Sequence, residues 1–236
     1  MAEPSYRDAG HLPKRRPGGK PAPPDELPRQ RRGATPQMIG RHPDYDVLDH
    51  ADHWDPVTRE VVLARVQDPP PLRFFSDDEA RTLGAFLDTV LAQDREPRVP
   101  VLHMVDAKLA DGRLDGFRYA DMPEDPETWR LVARGLDGLA DLDDEGRRAL
   151  VQRFSEGDLG GGVWETLSPT RAWSVVLRAA LSAFYSHPWA WNEIGYGGPR
   201  YPRGYLRLGA GQEEPDMGAE RFSRDPVPDV HRRGLE

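Results

Sequence analysis

Between residues 44 and 208 the apolar side chains recur at steps of three and four, and proline or glycine interrupts the pattern where it stops. That rhythm is helical. Val57, Val61, Val62 and Val66 predict a short helix, which Pro69-Pro70-Pro71 must end because proline has no amide to donate. Ser76 and Glu79 have the spacing of a capping box, with Phe74 and Phe75 just ahead. Ala80, Leu83, Phe86, Leu87, Val90 and Leu91 then form one stripe. Further stripes run through Val101, Leu102, Val105 and Leu109, through Trp129, Val132, Leu136 and Leu139, and through Ala149, Leu150 and Phe154. In the last, Ser168 can cap, Pro169 occupies the first turn, and Trp173, Val176, Leu177, Ala180, Leu181 and Phe184 form the apolar face. No comparable run alternates apolar with polar residues, so a sheet is not expected. The expected fold is all-α: a small, irregular helical domain with long Pro/Gly-rich extended segments.

The ends differ from this body. Residues 1–43 are rich in Pro, Gly and Arg without any hydrophobic period, and read as a disordered basic arm. Residues 209–236 read as an irregular tail. Eight basic and four acidic side chains fall in residues 1–33, leaving 24 basic against 36 acidic in the remainder. So acidic a body repels a phosphate backbone, and no nucleic-acid partner is expected. The absence of cysteine excludes disulfides, Cys-ligated zinc, iron–sulfur clusters and covalent CxxCH haem attachment. No stretch approaches the roughly 20 apolar residues of a membrane span. Arg15-Arg16 and Arg31-Arg32 are twin arginines, but Pro17-Gly18-Gly19-Lys20 and Gly33-Ala34-Thr35-Pro36 follow them rather than an apolar segment. The sequence therefore points to the cytoplasm, or to the periplasm or a membrane surface if a partner carries the chain there.

Three groupings invite a chemical reading. Gly160-Gly161-Gly162 follows a helix and matches neither GxGxxG nor GxxxxGK[ST], so it reads as a connection and not as a phosphate loop. His50 and His53, with Asp46, Asp49 and Asp52 around them, could meet one metal from a helix face; surface Asp–His clusters are the commoner case. His187 and Glu193 could form an acid–base pair, yet no nucleophile is held by a base that a third group orients.

The segment 184–205 stands apart, because seven of its 22 positions are aromatic against 8 % of the chain. Its prolines and glycines keep most of it out of regular structure. Large aromatics with Arg200 and Arg203 on a stiff segment suit a protein interface. They equally suit a clasp that folds back over its own helices, and both readings stay open. The candidate partner-binding residues are His187, Trp189, Trp191, Asn192, Glu193, Tyr196, Tyr201, Arg203 and Tyr205.

The same segment, Phe-Tyr-Ser-His-Pro-Trp-Ala-Trp-Asn-Glu-Ile-Gly-Tyr-Gly-Gly-Pro-Arg-Tyr-Pro-Arg-Gly-Tyr, resembles the signature of the gluconate 2-dehydrogenase subunit 3 family. Phe74-Phe75-Ser76-Asp77-Asp78-Glu79-Ala80 resembles that family's first helix start, and Tyr119-Ala120-Asp121-Met122-Pro123 followed by Trp129 resembles its central element. The resemblance implies a non-catalytic small subunit that has no cofactor of its own. It further implies a large FAD-containing partner of the glucose–methanol–choline oxidoreductase type that oxidises a sugar or sugar acid, and a cytochrome c subunit as a possible third component. Two rival classes remain: a stand-alone metal-dependent enzyme built on His50 and His53, and an interaction protein unrelated to any dehydrogenase.

Overall fold

Capping side chains and prolines decide where the helices begin. The computed structural model describes residues 22–27, 29, 41–67, 69–113, 119–200, 204–207, 209, 212 and 214–219. Among them are seven α-helices, three short 3-10 turns and no strand, so the fold is all-α as expected. The Asp55 carboxylate accepts from the amides of Val57 and Thr58 to start α1 (Pro56–Leu63). Ser76 and Glu79 form the reciprocal capping box of α2 (Asp77–Val90), at 3.3 and 3.0 Å. α3 (Val101–Ala110) and α4 (Asp125–Gly135) follow, and Asp143 caps α5 (Asp144–Glu156) through the Gly146 amide. α6 (Pro169–Phe184) has Pro169 in its first turn, but Ser168 makes no side-chain cap there. Proline at the first position costs no helical bond, because that amide has no partner within the helix. The stripe at 129–139 is not one helix: α4 ends at Gly135, and Leu139 belongs to a separate 3-10 turn, Leu139–Asp141.

α2 packs against α3, α4, α5 and the Leu139–Asp141 turn, while α6 closes the bundle against α3, α4 and α5. At the centre Phe154 meets Phe86, Trp164 and Trp173 with ring centroids 5.8, 5.1 and 5.2 Å away. Gly135 makes room for this cluster, because a Cβ there would lie 2.4 Å from Trp164 Cζ2. The indole Nε1 instead donates to the Gly135 carbonyl at 3.2 Å. Asp106, fully buried on α3, accepts from the backbone amides of Arg73, Phe74 and Phe75, which fixes the approach to α2.

Most of the arm at 1–43 and most of the tail at 209–236 lie outside the described residues. Where described, both attach to the body. Leu27 is buried in the core, and Arg29 bonds Asp46 and Asp49 at 2.9 Å each. In the tail, Glu214, Asp216 and Gly218 are buried. A lone apolar or charged side chain that finds a distant partner leaves no period to read. Among the described residues no helix is long and apolar enough to cross a membrane.

Candidate functional site: the aromatic clasp

The aromatic segment opens with a helix that its proline and glycine content concealed. His187 is the N-cap of α7 (Pro188–Ile194), Pro188 takes the first turn, and Gly195 ends the helix at φ 65°. The His187 ring spends both nitrogens on the backbone: Nε2 lies 2.9 Å from the Arg65 carbonyl, and Nδ1 accepts from the Trp189 amide at 3.2 Å. Burial favours the neutral ring and lowers its pKa to about 4. Ser186 Oγ donates to the Ala183 carbonyl, not to the imidazole. This histidine is therefore a structural cap, and the sequence pair His187/Glu193 supplies no nucleophile–base arrangement.

α7 turns its large rings inward. Trp189 and Trp191 are each only 6 % exposed. Trp191 Nε1 donates to the Tyr185 carbonyl at 2.6 Å, and its ring meets Tyr196 edge-on at 5.5 Å. Asn192 keys the helix to the 3-10 turn Val47–His53 by accepting from the Val47 amide at 2.8 Å. Its amide nitrogen lies 3.4 Å from Asp46 Oδ1. Glu193 is buried as well. A seven-residue helix has little stability of its own and holds only by packing one face into a core. That is why these rings point inward.

After α7 the chain runs through glycines that other segments press against. A Cβ on Gly195 would sit 2.7 Å from His42 Cε1, and one on Gly197 would sit 2.9 Å from the Asp216 carbonyl oxygen. A strap, 214–219, lies over this run. The Gly218 amide donates to the Gly195 carbonyl at 2.9 Å. The Tyr45 hydroxyl lies 2.8 Å from the Asp216 carbonyl oxygen and 3.2 Å from that of Tyr196. Arg200 and Asp216 form a buried ion pair. Glu214 Oε1 accepts from the amides of Leu206 and Arg207, both at 2.8 Å.

The nine candidate residues thus divide. His187, Trp189, Trp191, Asn192 and Glu193 are interior, and Tyr196 is half-buried. Tyr205 is exposed, and Tyr201 and Arg203 lie outside the described residues. In this fold the two tryptophans pack into the chain's own core. Aromatic density revealed that the rings are anchored, and only the helix register reveals the side they face.

His50 and His53 lie with centroids 6.2 Å apart and rings tilted by 30°. Asp49 is paired with Arg29 at 2.9 Å and Asp52 with Arg59 at 3.2 Å. Among the described residues no group of three or more His, Asp or Glu side chains is arranged to hold a metal.

No curated protein and no solved structure matches the chain. The family model for gluconate 2-dehydrogenase subunit 3 matches residues 77–198, more than half of the chain, from the first residue of α2 to the glycine run beyond α7. The chain belongs to the gluconate 2-dehydrogenase subunit 3 family and so is of the kind of an accessory subunit in a multi-subunit dehydrogenase complex.

Proposed function

We propose that this chain is the non-catalytic small subunit that binds, and supports the maturation of, a large FAD-containing oxidoreductase of the glucose–methanol–choline type acting on a sugar or sugar acid. The family match carries the reading, because it spans the whole bundle from α2 to α7. The site geometry agrees with it. His187, the conspicuous titratable residue of the aromatic segment, has both ring nitrogens engaged by backbone groups, which leaves no lone pair for a substrate proton. In this reading the substrate pocket and the flavin belong to the large chain, and a cytochrome c subunit takes the electrons onward.

The test is co-expression of the full chain with a large flavoprotein of the glucose–methanol–choline type. Affinity capture of the small chain is followed by dye reduction over a panel including gluconate and glucose. We expect the flavoprotein to be retained, and its flavin-loaded, active fraction to fall when the small chain is omitted. A flavoprotein that is equally active alone and is not retained would overturn the proposal.

A further inference from the structure

α7 stands apart from the helices it follows. It packs chiefly on the Val47–His53 turn, and that turn packs on α1, whereas α2 to α6 pack on one another. The family match covers residues 77–198, so the turn and α1 lie before it, and Arg200 and the strap 214–219 lie after it. Both flanks of the matched span therefore close on α7.

The parts that meet there are short. α1 has eight residues and buries only Val62 and Leu63, leaving Val57 and Val61 exposed. α7 has seven residues, and the turn beneath it is 3-10. Such elements are marginal without their neighbours. α2 and α6 run to 14 and 16 residues, and each buries a stripe along its length.

Polar bonds tie these parts to one another. The Arg65 guanidinium, just after α1, donates to the Ser186 carbonyl at 2.6 Å, and the Arg65 carbonyl lies 2.9 Å from His187 Nε2 at the start of α7. Asn192 of α7 accepts from Val47 of the turn. The Tyr45 hydroxyl touches the Tyr196 carbonyl after α7 and the Asp216 carbonyl of the strap. His42 Nδ1 lies 3.0 Å from the Ala219 carbonyl oxygen, and Gly218 donates to Gly195. A hydrogen bond exchanged for one with water stabilises only modestly. The latch shares one apolar core with the bundle, but these seams give way more readily than the ring-packed centre around Phe154.

We propose that the Val47–His53 turn, α1, α7 and the strap form one latch, which opens as a unit while α2 to α6 stay folded, with Tyr45 as its catch. Opening brings Trp189 and Trp191, both buried in the closed chain, to the surface. Because the lead before Val47 and the strap both close on the run after α7, drawing off either one releases the helix. The proposal does not depend on the subunit reading given above.

The experiment is native-state hydrogen exchange of the full chain, read by mass spectrometry, for wild type, Tyr45→Phe and Asn192→Ala. In wild type, peptides covering 42–66, 188–198 and 214–219 should share one opening equilibrium, and peptides from α2, α5 and α6 should open more rarely. Tyr45→Phe removes one hydroxyl and keeps the ring. It should speed exchange in all three latch segments about fivefold or more and leave the bundle unchanged. Asn192→Ala, which cuts the bond between α7 and the turn, should give the same pattern. If the latch segments of wild type exchange in step with α2 and α6, the chain opens only globally and the proposal is overturned. Acceleration that is absent, or confined to the segment nearest each substitution, would overturn it as well.

Discussion

Arg200 and Asp216 pair across the clasp with their side chains only 7 % and 8 % exposed, joining the segment after α7 to the strap that covers it. The neighbouring carboxylate raises the guanidinium pKa against the opposing effect of its burial. Removing one member of a buried pair strands the other charge, which typically costs about 3–5 kcal/mol. Asp216→Ala should therefore lose about that much in urea unfolding. The double variant Arg200→Met/Asp216→Leu should lose clearly less than Asp216→Ala alone, because no charge is left unpaired. Equal losses would mean that the strap contributes by packing and not by this pair.

His187 predicts a pH dependence with a definite sign. Its folded pKa of about 4 lies below the ordinary histidine value of 6.5, so the unfolded chain binds the proton first as pH falls. Stability from this group is complete above about pH 6.5, declines as pH drops below it, and is lost by about pH 4. The total is on the order of 3 kcal/mol. His187→Asn retains an N-cap acceptor without a titrating ring. Its unfolding free energy should fall less steeply between pH 6.5 and 4 than that of wild type; parallel curves would show that carboxylates, and not this ring, set the acid sensitivity.

The bundle was largely legible in the sequence, because α2, α5 and α6 each carry a stripe long enough to show its period and a recognisable start or stop. Ser76 with Glu79 and Gly157 after α5 are such signals, and the structure uses both. α7 was legible only in part. His187-Pro188 is a cap followed by a first-turn proline, but seven residues are too few for a period, and the prolines and glycines around them read as irregular chain. A clasp stood as one of two readings of the segment, but the pairings that hold it were not legible. Arg29 finds Asp46, and Arg200 finds Asp216, across 17 and 16 residues with no repeating pattern between them. For the candidate site the sequence showed where aromatic rings concentrate, while their direction follows from how α7 sits on the Val47–His53 turn.

Gly135 tests the aromatic centre. An alanine there would set its Cβ 2.4 Å from Trp164 Cζ2, well inside contact distance, so the indole must move and its bond to the Gly135 carbonyl must break. Helix propensity alone would favour alanine by about 1 kcal/mol. Overpacking of this kind costs about 1–3 kcal/mol and should win. We expect Gly135→Ala to lower the melting temperature and to shift tryptophan emission to the red. A more stable variant with unchanged emission would show that Trp164 has room to yield.

Trp191→Ala tests whether the ring of α7 serves the core or an interface. The ring is 6 % exposed, packs edge-on against Tyr196, and donates to the Tyr185 carbonyl. Truncating it empties a large volume that a seven-residue helix cannot refill, and a buried Trp or Phe replaced by Ala costs about 3–5 kcal/mol. The variant should lose melting temperature and soluble yield. Its affinity for the large subunit, measured per folded molecule by titration below the melting transition, should stay close to wild type. A Trp191→Ala chain that melts like wild type but no longer binds would place the indole at the interface, and would require α7 to turn outward when the partner arrives.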